Sequence, residues 1–361
     1  MTNPTLYTAK APIFQNKLFS NKTLAEKSPI GLINLAWDEW QGCVVNQTFQ
    51  TINDIYDSSY NNDQGTSDRF KAHLTSILDI LDSRLDKAAD IVEIGCGNGS
   101  FLDELSRRGF TSLSGHDTAY QGSRSYIKNE YISDFSSIQA DLIILRHTLE
   151  HIQQPRAFLE AIRQSSSKKY GKPYIYIEVP SLEWILENHS FYDIFHEHVN
   201  YFDLAFFENI FPGSMTFRSF SGQYISVFAD IASMNINHCH KRSKQGLLNA
   251  FSEVEGERQR ILGYLMNRNL IIFGAGAKGA NLCFHLRNSG TTGKIMLVDS
   301  NPSKQGLYTS GLDIMIQAPD SLFRLDQADS YEVLVMNPNY MAEIRKALVG
   351  LASRIRCITH I

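Results

Sequence analysis

The hydrophobic positions of the chain predict two successive series of strands and helices. The first series opens with a helix over residues 70–85, where apolar residues recur at helical spacing. It continues through strands and helices at ADIVEIG, SFLDELSRR, TSLSGHD, ADLIILRH, PRAFLEAIRQ and YIYIEVP. The second series runs through NLIIFGAG, AKGANLCFHLRN, KIMLVDS, YEVLVMN, YMAEIRKALVGL and SRIRCITH. Strands that alternate with helices predict an α/β protein with open sheets.

The segments around these two series suggest the domain boundaries. Residues 1–68 are polar and aromatic, which predicts a small loop-rich N-terminal cap with short strands around LINLAW and CVVNQTF. Residues 69–236 form the first predicted domain, which ends in a hairpin at MTFRSFSGQYISVFADI. Residues 237–268 are charged and predict a helical connector, and residues 269–361 form the second domain. The predicted fold class is α/β, with two tandem Rossmann-like doubly wound domains behind the cap.

Composition and charge narrow the class of protein. The chain has 361 residues, of which 43% are hydrophobic, and a formal net charge of −4. That balance argues against a broad basic surface for nucleic acid. The chain shows neither an apolar run of about 18 residues nor a basic segment leading into an apolar one, so we expect a cytoplasmic protein without a membrane span. The expected partner is a small molecule, and the sequence leaves monomer and dimer open.

A glycine-rich loop follows the first strand of the first domain. Glu93, Gly95, Gly97 and Gly99 alternate with other residues between that strand and a helix. Glycines allow the backbone to turn sharply and to approach a ligand closely. Asp117 ends the next strand, about 20 residues on, where a carboxylate can accept hydrogen bonds from ribose hydroxyls. The loop therefore predicts a nucleotide-type ligand, and the alternative is a tight turn without one.

Two stretches of the first domain resemble class I S-adenosylmethionine-dependent methyltransferases. VEIGCGNG resembles their first motif, and DLIILRHTLEHI resembles the region around their fourth strand. The resemblance implies S-adenosylmethionine as cofactor. It also implies cofactor contacts from the first loop and from Arg146 and His147, which end the fourth strand.

The segment FYDIFHEHVNYF carries a second set of chemical groups. His196 and His198 flank Glu197, just beyond the last parallel strand of the first domain. An imidazole with a pKa of about 6.5 can accept a proton at neutral pH, and an adjacent carboxylate can orient it. The alternatives are histidines hydrogen-bonded as scaffold beneath the aromatic residues, or a weak metal pair. A further pair, His238 and His240, lies in the connector and is expected to be surface polar.

The order of these motifs is similar to that of the sugar C-methyltransferase family, whose members methylate carbons of nucleotide-linked keto-sugars. The resemblance extends from about residue 10 to the C-terminus. It implies that His198 is the general base with Glu197 beside it. It also implies that His151 lines the site and that Tyr60 covers the pocket from the N-terminal loop.

Two departures separate this chain from that family. Phe195 stands where the motif usually has a tyrosine, which removes a hydroxyl from the expected site. Asp38 and Gln41 stand where zinc-binding cysteines are usual, and the five cysteines include no Cys-x-x-Cys pair. We therefore expect no metal. The motifs of this chain are most similar to those of a branch of the family that carries EHVNYF, a GQY hairpin and MNPNY.

A second glycine loop opens the last domain. Gly274, Gly276 and Gly279 have the spacing of a dinucleotide fingerprint, and Asp299 follows about 20 residues later. The helix N-terminus would suit a pyrophosphate. The family resemblance implies that this domain holds the nucleotide-sugar, and the candidate substrate residues are Lys278, Asn301, Lys304, Asn337 and Tyr340. A purely structural domain and a redox cofactor site remain as alternatives.

These features together predict an S-adenosylmethionine-dependent C-methyltransferase that acts on a nucleotide-activated keto-sugar. His198 would remove a proton beside the keto group, and the enolate would attack the methyl group. The alternatives are an O- or N-methyltransferase of another small metabolite, and a non-catalytic or NAD-binding protein.

Overall fold

The computed structural model describes most of the chain. The described residues are 4–50, 67–132, 135–136, 138–166, 173–236, 241–325, 330–351 and 355–360. The candidate residue Tyr60 and the connector residues His238 and His240 lie outside these ranges. None of the helices in the described part of the chain has the length and apolar character that a membrane crossing needs.

The N-terminal cap is built on antiparallel strands. Its elements are β1 (Thr5–Pro12), β2 (Leu18–Phe19), α1 (Lys22–Glu26), β3 (Ile30–Asp38) and β4 (Cys43–Asn46). Strands β1, β3 and β4 form one sheet, which is completed by a short strand of the next domain, β10 (Asn200–Tyr201). The sequence predicted strands around LINLAW and CVVNQTF but missed β1, so the expected loop-rich cap is corrected to a four-stranded sheet.

The first α/β domain contains a seven-stranded sheet. Its other elements are α2 (Asp68–Asp82), β5 (Asp90–Ile94), α3 (Ser100–Arg107), β6 (Ser112–His116), β7 (Ile127–Lys128), β8 (Leu142–Arg146), α4 (Pro155–Ser165), β9 (Tyr174–Pro180), α5 (Leu182–Glu187), α6 (Leu204–Ile210), β11 (Met215–Ser219) and β12 (Tyr224–Asp230). The strand order is β11-β12-β9-β8-β5-β6-β7. Strand β12 pairs antiparallel with both β11 and β9, and the other neighbouring strands pair parallel. The central strand β8 is apolar and buried along almost its whole length, as both faces of a parallel sheet require.

A long helix leads into the second α/β domain. The elements are α7 (Lys244–Leu265), β13 (Leu270–Phe273), α8 (Ala277–Asn288), β14 (Ile295–Val298), β15 (Tyr308–Thr309), β16 (Ile316–Gln317), β17 (Tyr331–Val335), α9 (Met341–Ala347) and β18 (Ile355–His360). The sheet order β16-β14-β13-β17-β18 is parallel throughout. The predicted α/β fold with two tandem Rossmann-like domains is confirmed.

Short 3₁₀ helices supply several of the loops around the sheets. They span Leu149–His151, Phe191–Asp193, Phe220–Gly222, Ile231–Ser233, Pro319–Arg324, Pro338–Tyr340 and Val349–Leu351.

The cap is paired with both domains. Strand β4 pairs with β10 of the first domain, and β2 pairs with β15 of the second. The hydroxyls of Ser28 and Ser310 are also hydrogen-bonded at 2.7 Å. In open α/β sheets ligands bind at the carboxyl ends of the strands. Here those ends, from β8 and β9 in one domain and from β13, β14 and β17 in the other, border one shared cavity.

Candidate functional site

The first glycine loop lies between β5 and α3. Gly95, Gly97 and Gly99 have φ of 74°, 55° and 81°, a region that side-chain-bearing residues rarely adopt. The backbone N–H of Gly97 donates to Oδ2 of Asp117 over 2.7 Å. The loop and the predicted carboxylate therefore lie together at the carboxyl edge of the sheet. Oδ1 of the same carboxylate accepts the N–H of Ala119.

Glu93 lies on β5 just before this loop. Its side chain is buried, and its Oε2 has no hydrogen-bond partner among the described residues. Burial raises the pKa of the Glu93 carboxyl to about 8, and the charge of Arg146 opposes that rise. A buried carboxyl with an unused oxygen beside a glycine loop is suited to a hydrogen bond with a bound ligand.

Glu178, on β9, is the centre of a buried charged network. Its Oε1 accepts from Arg146 at 3.0 Å, and its Oε2 lies 2.8 Å from Nε2 of His73. Burial raises the pKa of this carboxyl, but the charges of Arg146 and the neighbouring histidines outweigh burial and hold the pKa well below its usual range. Arg146, a predicted cofactor contact, thus points into the domain interior, where its guanidinium also stacks over Phe101.

His147 lies between two carboxylates at the end of β8. Its Nε2 is 3.4 Å from Oε1 of Glu178, and its Nδ1 is 3.5 Å from Oε1 of Glu150. Its φ of 48° is left-handed, which is uncommon for a residue other than glycine. Burial lowers the pKa of this imidazole, but the two carboxylates outweigh burial and raise the pKa to about 9. The ring is therefore positively charged at neutral pH.

A cavity of about 340 Å³ lies between the two α/β domains. The predicted site residues that line it are His147, His151, His198, Lys278, Asn301, Lys304, Asn337 and Tyr340. The histidines come from the first domain and the remaining five residues from the second. The glycines of the first loop and Asp117 are not among its lining residues.

His198 lies in the inner wall of this cavity. Its ring centroid is 5.1 Å from that of His151 and 5.0 Å from that of Phe195, both edge to face. Burial lowers the pKa of the His198 imidazole to about 3, so the ring is neutral at neutral pH. Nδ1 of His151 lies 3.0 Å from the backbone carbonyl of Glu197 and must donate to it, because a carbonyl only accepts.

The other two residues of the His-Glu-His segment lie elsewhere. The His196 ring fills the space next to Gly31, where an added Cβ would lie 2.2 Å from the ring, and it contacts Phe49. Oε1 of Glu197 accepts the backbone N–H of Gln15 at 2.6 Å. The segment bends at residues 196–197, so it brings only His198 to the cavity wall.

Glu150 lies close to both His151 and His198. One ligand atom each of Glu150, His151 and His198 lies within 4.8 Å of the others, a spacing that a metal ion could bridge. Glu150 is buried, and its Oε2 has no hydrogen-bond partner in the described ranges. The cluster combines a carboxylate and two imidazoles, which is also the composition of an acid–base site.

The second glycine loop has the packing of a nucleotide-type turn. Gly274 has φ of 113°, and a Cβ at Gly279 would lie 1.9 Å from the carbonyl oxygen of Gly274. Oδ2 of Asp299 accepts the N–H of Ala275 at 2.8 Å, the same arrangement that Asp117 makes with the first loop. Lys304 is buried beside the loop, with its Nζ 4.0 Å from Oδ2 of Asp299.

Polar side chains that line the cavity connect the two domains. Nζ of Lys278 lies 2.9 Å from Oδ1 of Asp193 and donates to Oε1 of Gln223 at 3.2 Å. The amides of Gln223 and Asn337 exchange two hydrogen bonds of 2.8 and 3.1 Å. Asn301 and Tyr340 complete the lining on the second-domain side. Asn301 uses its Oδ1 to accept from Ser303 within its own loop.

Sequence reasoning missed several polar residues of the site. Five of them make the contacts described above: His73, Glu150, Glu178, Asp193 and Gln223. Two of them carried a usable signal, because Glu150 and Glu178 are acidic residues next to or within strongly apolar segments. The other three could be assigned only from tertiary contacts.

Family models match both domains. Residues 66–213 match the model described as a methyltransferase domain. Residues 237–355 match the model described as a C-methyltransferase C-terminal domain. No curated protein matches the chain.

Solved structures share parts of this fold at low identity. The plantazolicin methyltransferase BpumL in complex with a monoazolic desmethylPZN analog and SAH is 20% identical over 39% of this chain and 60% of its own, with a TM-score of 0.29. CalO1, a methyltransferase in calicheamicin biosynthesis in its SAH-bound form, is 15% identical over 45% of this chain and 55% of its own, with a TM-score of 0.33. PH0226 protein from Pyrococcus horikoshii OT3 is 12% identical over 46% of this chain and 92% of its own, with a TM-score of 0.33.

Proposed function

We propose that this methyltransferase, which joins a methyltransferase domain to a C-methyltransferase C-terminal domain, methylates a carbon atom of a nucleotide-activated keto-sugar. S-adenosylmethionine is its methyl donor. When bound, the cofactor supplies an electrophilic methyl group on a sulfonium. The residues described below supply binding, orientation and a base.

The first glycine loop fits the cofactor. Gly95, Gly97 and Gly99 provide a backbone without side chains, and the Asp117 carboxylate is available for ribose hydroxyls beside it. The buried Glu93 carboxyl, on β5 next to the loop, has an oxygen without a hydrogen-bond partner among the described residues. This oxygen can therefore form a hydrogen bond with the cofactor. These residues would hold the cofactor.

His198 is the proposed base. A keto group acidifies the neighbouring C–H, and a neutral imidazole in the cavity wall can take that proton. The electron pair of the C–H bond remains on carbon as an enolate, which is the nucleophile toward the methyl group. His151 lies next to His198, and its ring is oriented by the backbone carbonyl of Glu197.

The second glycine loop is the proposed site for the nucleotide diphosphate. Helix α8 begins with Ala277 at this loop, so its unpaired N–H groups favour an anion there. Lys278 and Lys304 line the cavity near the helix start and add positive charge. Asn337 and Tyr340 also line the cavity and are the proposed contacts to the sugar or the nucleobase.

The observation that carries this proposal is the cavity that residues of both domains line. The His151–His198 pair from one domain and the second glycine loop with Lys278 and Lys304 from the other all line it. Its size lies within the usual range for small-molecule sites. A sugar would then reach the base while its diphosphate is held by the other domain.

Hydrogen exchange tests the proposal. The enzyme is incubated in D₂O with S-adenosylhomocysteine and a panel of nucleoside-diphosphate 4-keto-6-deoxyhexoses, and loss of the signal of the hydrogen next to the keto group is followed by NMR. We expect exchange with at least one sugar. Absence of exchange with every sugar, together with methyl transfer to oxygen or nitrogen in a parallel incubation with S-adenosylmethionine, would support the O- or N-methyltransferase alternative instead.

The fingerprint geometry of the second loop also fits a dinucleotide. Gly274, Gly279 and Asp299 have the arrangement that such cofactors use. Titration of NADH fluorescence separates the two ligands. We expect no change in NADH emission up to millimolar protein, whereas saturable enhancement would support the redox alternative.

A further inference from the structure

Glu150 is placed between a charged histidine and two neutral ones. Its Oε1 lies 3.5 Å from Nδ1 of His147, whereas its Oε2 has no hydrogen-bond partner in the part of the chain that the structure describes. A ligand atom of this carboxylate also lies within 4.8 Å of His151 and of His198. The residue lines the cavity although it is only 2% exposed.

Glu197, the neighbour of His198 in sequence, has a different position. Its carboxylate accepts the backbone N–H of Gln15, so it connects the segment to the cap. Glu197 is not among the residues that line the cavity, and its backbone carbonyl accepts from Nδ1 of His151.

A carboxylate near His198 has a clear energetic role. Proton uptake by this buried imidazole creates a positive charge in a region with little water, and burial alone disfavours that charge. An ionised carboxylate within about 5 Å offsets much of the cost. Burial raises the pKa of Glu150, but the histidines around it outweigh burial and lower that pKa, so the carboxylate is ionised.

The charged groups around Glu150 keep it in that state. His147 lies between Glu150 and Glu178, and Glu178 is in turn paired with Arg146 and His73. Positive and negative groups thus alternate from the domain interior to the cavity. The Tyr224 and His147 rings pack edge to face, with their centroids 4.6 Å apart.

We infer that Glu150, rather than Glu197, is the carboxylate that stabilises the imidazolium formed at His198. This inference rests on the proposed function, because His198 is a base only in that reaction. The substrate C–H bond breaks, its electron pair stays on carbon, and the proton forms an N–H bond on His198. The new positive charge then lies beside the Glu150 carboxylate. Glu150 is thus a positioning residue that acts through His198.

Paired isosteric variants test the inference. Glu150→Gln and Glu197→Gln are compared in the hydrogen exchange of the nucleoside-diphosphate keto-sugars. We expect Glu150→Gln to lower kcat by about 10²-fold with little change in KM, and Glu150→Asp to recover part of the loss. Glu197→Gln keeps an acceptor for Gln15 and should cost less than about threefold. Equal losses in the two variants, or a fully active Glu150→Gln, would overturn the inference.

A measurement without substrate separates this inference from the proposed function. In histidine-labelled protein, the pKa of His147, about 9 in the parent, is followed by NMR. We expect it to fall by about one unit or more in Glu150→Gln but not in Glu197→Gln. An unchanged value in both variants would contradict the placement of charge on Glu150. Absence of exchange with every sugar would instead count against the proposed function. Calorimetry with S-adenosylhomocysteine checks that both variants are folded.

Discussion

The imidazoles of His151 and His198 lie edge to face in the cavity wall, with ring centroids 5.1 Å apart. His151 donates from Nδ1 to the carbonyl of Glu197, so its basic nitrogen, when the ring is neutral, is Nε2. Two rings this close repel each other when both are protonated, and burial lowers both pKa values. The pair therefore takes up at most one proton at neutral pH, which suits a site that removes one hydrogen per turnover.

Replacing His198 should remove the proposed base and leave the proposed cofactor site intact. We expect His198→Asn to slow methyl transfer and hydrogen exchange by about 10²–10⁴-fold, the usual contribution of a positioned base. S-adenosylhomocysteine affinity, measured by calorimetry, should stay within about threefold. His196→Asn is the matched control, because that ring packs against Gly31 outside the cavity. It should lower the melting temperature and keep most activity. A greater loss of activity in His196→Asn than in His198→Asn would contradict the assignment of the base to His198.

The carboxylates beside the two glycine loops should each contribute to the binding of a different ligand. Asp117 and Asp299 each accept a backbone N–H from their own glycine loop, at 2.7 and 2.8 Å. We expect Asp117→Ala to weaken S-adenosylhomocysteine binding by about tenfold or more and to leave the binding of a nucleoside diphosphate unchanged. Asp299→Ala should show the opposite pattern. Both affinities are measured by calorimetry, and the same ligand responding to both variants would refute the division of roles.

A methyl group at Gly279 should disrupt the second domain. Its Cβ would lie 1.9 Å from the carbonyl oxygen of Gly274, so α8 would have to move away from β13. We expect Gly279→Ala to reduce the free energy of unfolding by about 2 kcal/mol or more. Gly263→Ala, on the exposed face of α7 with no atom within 4 Å, should raise it by about 1 kcal/mol instead. Chemical denaturation of the two variants measures both changes.

The Glu93 carboxyl should make stability depend on pH. Its pKa is raised from 4.5 to about 8 in the folded protein, so folding takes up a proton between these values and stability falls as pH rises through that window. Glu93→Gln removes the buried ionisable group. We therefore expect the variant to gain melting temperature relative to the parent, and to gain more near pH 8 than near pH 6. A constant difference across that range would show that Glu93 is not the group responsible.

The fold could be predicted largely from local patterns. The helix over AKGANLCFHLRN has the same bounds in the structure, Ala277–Asn288, because a glycine loop precedes it and a polar turn follows it. Strands β5, β8, β9, β13 and β17 are short apolar segments that only a buried sheet accommodates. The pairings of β1 with β3 and of β2 with β15 were not predictable, since their residues are mixed in polarity and pair only through tertiary contacts.

The site was less predictable than the fold. The sequence grouped His196, Glu197 and His198 because they are adjacent, but the backbone bends there and directs His196 and Glu197 toward the cap. Glu150 comes next to His198 only through the packing of a 3₁₀ helix, Leu149–His151, against the following segment, where the N–H of Val199 donates to the Glu150 carbonyl. Adjacency in sequence is a poor guide to side-chain direction in irregular backbone.

The position of the transferred methyl group tests the central claim most directly. The enzyme is incubated with S-adenosylmethionine labelled with ¹³C in the methyl group and with the keto-sugar that undergoes exchange, itself labelled with ¹³C in the ring. The account predicts a product methyl signal split by one-bond coupling to a ring carbon. A methyl signal without that coupling, as a methyl group on oxygen or nitrogen would give, contradicts carbon methylation.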